Sequence, residues 1–125
     1  MKWRFELVAG PYGCTSEGPA WDGRFLYFTL IQQDRIMRFD PGTGDCVEWR
    51  SNTQHTNGTM FDAGGRLYGC SARGRSIVRF ESDGKTTVIA DRIDGKRLNT
   101  PNDLAIARSG RIWFSNPWKI GRAHV

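Results

Sequence analysis

A chain of 125 residues that is 38% hydrophobic and 12% aromatic is long enough for one domain with a buried core and too apolar for disorder. Its 18 basic and 13 acidic side chains leave a net charge of +5, but the arginines are spread along the chain instead of forming a stripe, which argues against a nucleic-acid partner. No stretch reaches the length of a membrane span and the N-terminus lacks the apolar run of a secretory signal, so we expect a cytoplasmic protein with no membrane partner; the sequence does not specify an oligomeric state.

In chain order, residues 21–28 read as a Gly-Arg turn running into a strand, and 34–40 as a second strand. A third strand is expected at 45–49. The pattern then returns: a turn and strand at 62–69, a strand at 74–81 that matches 34–40, and another at 85–90. A last turn and strand fall at 108–115. The Gly-Arg steps begin at Gly23, Gly65 and Gly110, which are 42 and 45 residues apart, the period of a propeller blade. No window keeps apolar residues at helical spacing, and 15 glycines and 5 prolines interrupt the chain, so we expect almost no helix. The fold class is therefore all-β, with about four strands per repeat and nearly three repeats: part of a β-propeller of four-stranded antiparallel blades. A single Trp-Asp step, Trp21-Asp22, sits in the wrong register for a WD40 blade. Cys14, Cys46 and Cys70 are odd in number and lack C-x-x-C spacing, and so read as free thiols.

In a propeller the innermost strands line a channel, and the segments entering them converge on its mouth. Three segments precede the repeated strands: 16–21, 55–62 and 97–104. Each brings an oxygen-bearing side chain, Glu17, Asn57 and Asn102, and carboxylate and amide oxygens suit a hard divalent cation. Asn57-Gly58 is also the composition of a turn, and His55 reads as a loop or packing histidine. Gly-x-Ser-x-Gly is absent, so there is no sign of a serine nucleophile.

Glu17-Gly18-Pro19-Ala20-Trp21, Thr56-Asn57-Gly58, the run from Ala90 through Asn99-Thr100-Pro101-Asn102-Asp103-Leu104, and Gly110-Arg111-Ile112-Trp113-Phe114 together resemble the gluconolactonase branch of the SMP-30/gluconolactonase/regucalcin-like family. The resemblance covers nearly all of residues 1–118. It implies a six-bladed propeller, here about three blades of it, with one divalent cation (Ca²⁺, Zn²⁺, Mg²⁺ or Mn²⁺) at the channel mouth and a sugar lactone as substrate.

Carried over by position, Glu17 is the metal-binding glutamate, Asn102 holds substrate or metal, and Asp103 and Asn57 join it in contacting substrate. Thr100 replaces an arginine that some relatives place against substrate, and Asn116 an aspartate of many bacterial relatives. The resemblance further implies that a later metal-binding asparagine and the aspartate acting as general base lie beyond this chain, so the catalytic residue is not assigned and the chain is expected to be inactive alone. A phosphotriesterase, aryl-esterase or luciferin-regenerating type of protein is the alternative within the same likeness, and a non-catalytic interaction scaffold the alternative outside it. Residues 120–125 resemble a translated sequencing adapter; we expect 1–119 to be the N-terminal half of one propeller domain followed by a non-native tail.

Overall fold

The structure is a computed structural model that describes residues 1–118; the expected tail at 120–125 lies outside the described residues. Four strands, β1 (Ser16–Trp21), β2 (Leu26–Leu30), β3 (Arg35–Phe39) and β4 (Cys46–Arg50), form one antiparallel sheet in chain order. Strands β5 (Thr56–Phe61), β6 (Leu67–Ser71), β7 (Ser76–Phe80) and β8 (Thr86–Ala90) repeat it. A short hairpin, β9 (Arg92–Ile93) with β10 (Lys96–Arg97), leads to a second hairpin, β11 (Leu104–Ile106) with β12 (Ile112–Phe114), which begins a third blade. The only helical turn among the described residues is the 3₁₀ turn Ile31–Gln33. These are blades of an all-β propeller.

The repeat has a physical cause. Asp22 accepts the N–H groups of Arg24 and Phe25 at 2.8 and 2.6 Å, closing the β1–β2 turn, and its other oxygen takes the Tyr27 hydroxyl at 3.1 Å. Asp62 does the same one blade on: it accepts Gly64 and Arg66 N–H, each at 2.9 Å, and the Tyr68 hydroxyl at 3.2 Å. In the third blade Ala107 stands in that place. The backbone pattern survives there, with Ala107 N–H donating to Arg111 O and Gly110 N–H to Ala107 O, each at 2.8 Å. Counting back five residues from 22, 62 and 107 reaches Glu17, Asn57 and Asn102, so the three candidates occupy one register.

The strand that follows each Gly-Arg step is the second of its blade, not the innermost as expected. First strands of successive blades lie side by side: Thr59 Oγ1 donates to Gly18 O at 2.5 Å, and Gly58 N–H to Asn102 O at 2.8 Å. Glu17 and Asn57 therefore sit within innermost strands, while Asn102 and Asp103 sit in the loop that enters β11.

Apolar faces meet between blades. Ala20, Tyr27, Ile36, Leu67, Val78 and Phe80 are buried together between the first and second, with Trp49 and Phe61 packed against them. Tyr27 meets Trp49 and Phe61 edge-on, each at 5.2 Å between ring centroids. Cys70, Ile77 and Leu98 are buried against Leu104, Ile112 and Phe114 of the third blade. Full burial of a side chain such as Ile36 or Ile77 stabilises by about 1.5–3 kcal/mol. Neither blade can bury its faces alone, so stacking is what makes each stable.

The turn aspartates also set an acid limit. Burial alone would raise the Asp62 carboxyl, but the Arg66 N–H, the Arg66 guanidinium at 2.8 Å and the Tyr68 hydroxyl together outweigh it and hold its pKa below the ordinary 3.8. A depressed folded pKa contributes stability that is present above the unfolded value and lost as pH falls through the folded one. Asp62→Asn is expected to lower Tm near neutrality and to flatten its decline as pH falls from about 5 to below the ordinary 3.8, measured by thermal melts.

Candidate active site

The innermost strands are irregular where the candidates lie. Pairing of β1 with β2 slips between Glu17 and Ala20, and pairing of β5 with β6 slips between Thr56 and Thr59. Such bulges re-aim side chains and are common beside functional sites. Residue composition explains them: Gly18-Pro19 in one strand and Asn57-Gly58 in the other are poor ladder formers.

Both glycines are required by close approach. A Cβ on Gly18, whose φ is +55°, would stand 2.2 Å from Asn57 O; one on Gly58 would stand 2.4 Å from Asp103 Oδ1 and 2.8 Å from Asn102 O. The innermost strands thus come together at this register, each glycine admitting the candidate residue of the next blade. The Asn57 carbonyl also accepts the buried Thr29 hydroxyl at 3.0 Å, which anchors the bulge of β5 to the blade before it.

A cleft of about 510 Å³ opens here, lined by Glu17, Pro19, Trp21, Thr59, Met60 and Asp103 among others. Glu17 and Asp103 bring two carboxylates to one cleft, and both residues are exposed. Asn57 and Asn102 share the register but do not line it; Asn57 is half-buried and Asn102 exposed. Sequence reasoning missed Thr59 and Met60. Their signal was only the polar-apolar alternation after Asn57, which the bulge disrupts.

Asp103 is well fixed. Its N–H donates to Ser115 Oγ at 3.1 Å, its carbonyl accepts Ser115 N–H at 3.0 Å, and its Oδ1 takes the N–H of Leu104 at 2.9 Å. Its charge reaches inward too: burial, and secondarily the Asp103 carboxylate, push the Cys70 thiol up to about 12, so this cysteine is inert. Cys14 and Cys46 are half-buried free thiols.

Other singled-out residues serve structure. Thr100 Oγ1 donates to Pro117 O at 2.6 Å, and Asn116 Oδ1 accepts Asn99 N–H at 2.9 Å, locking the loop that presents Asn102. His55 has a φ of +56° and is held by Asp34, whose Oδ1 lies 2.6 Å from its backbone N and 2.7 Å from Nδ1. It reads as a packing histidine.

The donor set fits a hard cation in kind: two carboxylates in the cleft, and the amide residues Asn57 and Asn102 at the equivalent positions of the next two blades, the first in a strand and the second in a loop. It is partial in number. Among the described residues no three of His, Cys, Asp or Glu gather as a metal site. No helix among them is long and apolar enough to cross a membrane.

The sequence model of the family described as SMP-30/Gluconolactonase/LRE-like region matches residues 15–123. A gluconolactonase of Zymomonas mobilis is 26% identical over 117 residues, covering 82% of this chain and 33% of its own. The solved structure of a gluconolactonase from Xanthomonas campestris is 39% identical with a TM-score of 0.78, over 82% of this chain and 35% of that one. A calcium-binding regucalcin from Agrobacterium tumefaciens is 18% identical with a TM-score of 0.57, over 73% of this chain and 33% of that one, a likeness of fold alone. The chain thus spans about a third of the length of these relatives.

Proposed function

The chain belongs to the SMP-30/gluconolactonase/LRE-like family, and from that premise we propose that it supplies the metal-holding and substrate-orienting side of an enzyme that hydrolyses sugar lactones. The observation that carries this reading is the pair Glu17 and Asp103 in one cleft where the innermost strands converge. Glu17, exposed on β1, would hold a divalent cation, with the amide oxygen of Asn102 as a further ligand. When bound, such a cation supplies Lewis-acid polarisation of a carbonyl or acidification of a water.

The chain's own residues do the orienting. A lactone is a cyclic ester carrying hydroxyls, and the fixed Asp103 carboxylate accepts hydrogen bonds from them. The amides of Asn57 and Asn102 can donate through NH₂ and accept through C=O, matching either end of a hydroxyl. Trp21 and Met60 give the cleft an apolar wall that sheds water from the ring face. Hydrolysis adds water at the carbonyl carbon and breaks the ring C–O bond; the base that takes the water's proton is expected from the part of the relatives' length that this chain does not span.

The test is aldonolactone opening by the full-length protein containing this chain, followed as acid release at constant pH. Chelating divalent cations is expected to slow it by about tenfold or more, and adding them back to restore it. Absence of hydrolysis by metal-loaded full-length protein sinks the proposal. The 125-residue chain by itself is expected to show no turnover above the uncatalysed rate.

A further inference from the structure

Six non-glycine residues have a positive φ among the described residues, and five of them gather where the β2–β3 turn, the β4–β5 connection and the β6–β7 turn meet: Asp34, Asn52, Gln54, His55 and Arg75. Asn, Asp and His visit the left-handed region more readily than other side chains, but glutamine and arginine have no such ease. Backbone in that state persists only where its surroundings over-determine it.

One carboxylate supplies most of the grip. Asp34 Oδ1 accepts the His55 backbone N–H at 2.6 Å and lies 2.7 Å from ring Nδ1, while Asp34 O accepts the Thr53 N–H at 3.2 Å. Asp34 Oδ2 takes one Arg73 nitrogen at 3.2 Å, and the other lies 3.1 Å from His55 Nε2. A ring with its proton on Nδ1 serves both contacts. From the far side, Ala72 N–H donates to His55 O at 3.2 Å and Arg73 N–H to Gln54 O at 3.1 Å. Burial would raise the Asp34 carboxyl, but the His55 bonds and then Arg73 outweigh it and hold its pKa below the ordinary 3.8, so the grip is charged near neutrality.

The gripped segment delivers Asn57. Thr56 returns its N–H at 3.1 Å and its hydroxyl at 2.6 Å to Thr53 O, and the β5 bulge follows at once. The Asn57 carbonyl is anchored by Thr29, but its side chain joins none of the side-chain hydrogen bonds among the described residues, so its backbone sets its aim. The second blade repeats the device with the opposite charge. Arg75 stands five residues before Phe80 as Asp34 stands five before Phe39, its φ is +51° against +53°, and its Nε donates to Leu98 O at 2.7 Å, in the segment leading to Asn102. In both blades the same turn reaches across to hold the segment that enters the next blade.

We propose that Asp34 is a positioning residue, which through His55 sets the backbone from which Asn57 meets substrate. The proposal rests on the lactonase reading, in which the Asn57 amide binds a substrate hydroxyl.

The test uses the full-length protein containing this chain. Asp34→Gly keeps the left-handed φ without strain and deletes the carboxylate. It is expected to raise KM for an aldonolactone by about fivefold, the scale of one lost hydrogen bond, with kcat within about twofold of the parent. Asp34→Asn, whose amide oxygen still accepts from His55, should recover most of that loss. Asn57→Ala should raise KM to a similar degree, and adding Asp34→Gly to it should change KM by less than about twofold, because both act through one contact. If Asp34→Gly does not fold, His55→Gly takes its place in the same cycle. Effects on KM that add in the double variant, or a fall in Tm with KM unmoved, overturn the proposal and leave Asp34 a role in the fold alone. A parent that opens no lactone sinks the lactonase reading instead. Asp34 is then judged by the Asn57 side-chain NH₂ signals in NMR spectra, assigned by their loss in Asn57→Ala: displacement in Asp34→Gly with return in Asp34→Asn upholds the positioning, and unmoved signals overturn it.

Discussion

Glu17→Gln is expected to cost the full-length protein about a hundredfold or more in kcat/KM for lactone opening, equivalent to about 2.7 kcal/mol of transition-state stabilisation. The exchange keeps size and shape and removes only the charge. A carboxylate binds a hard divalent cation far better than the neutral amide that replaces it, so cation affinity should fall together with rate. Folding should not suffer. The Glu17 side chain is exposed and joins none of the side-chain hydrogen bonds or ion pairs among the described residues, so the thermal midpoint of the metal-free variant should match that of the metal-free parent. Steady-state kinetics, a competitive chelator titration and a thermal melt together separate the possibilities. Unchanged affinity and rate would remove Glu17 from the metal site, and a large fall in Tm would mean that it serves the fold.

The period of the fold could be read directly, because its cause is local. Asp22 and Asp62 close their turns through groups two to four residues away, so the Gly-Arg signal recurs wherever the turn recurs. The common register of Glu17, Asn57 and Asn102 follows from the same turns. What was misread was the order of strands within the blade. Residues 16–21 and 56–61 contain Gly18-Pro19 and Asn57-Gly58, which look like loops, and they form strands because they are clasped between a blade's second strand and the next blade's first. That clasp is non-local and leaves no periodic trace. For the same reason Asp103, and not Asn102, turned out to share the cleft with Glu17.

Gly18→Ala tests the clasp itself, and we expect it to destabilise the full-length protein by about 3–4 kcal/mol, a large part of the ~5–15 kcal/mol that holds a domain folded. Two costs add. A residue with a Cβ at a φ of +55° sits in the left-handed region, at roughly 1–2 kcal/mol. The new Cβ also meets Asn57 O at 2.2 Å and Thr59 N at 3.0 Å, which are backbone atoms that cannot swing aside as a flexible side chain would. Relieving that overlap means prising β1 from β5, an overpacking cost of about 1–3 kcal/mol. Gly65→Ala supplies the control: its φ is +80°, nearer the left-handed region than the other turn glycine Gly23 at +103°, and nothing lies within 4 Å of its Cβ position, so it bears a backbone cost without the clash. Urea unfolding of the two variants should therefore separate them by about 2 kcal/mol, with equal m-values if both unfold from the same native state. Equal losses would mean that β1 and β5 leave room for a side chain at residue 18. A larger loss for Gly18→Ala, accompanied by weaker lactone binding, would show that the same close approach which shapes the fold also aims the Asn57 bulge and the Glu17 carboxylate at the cleft.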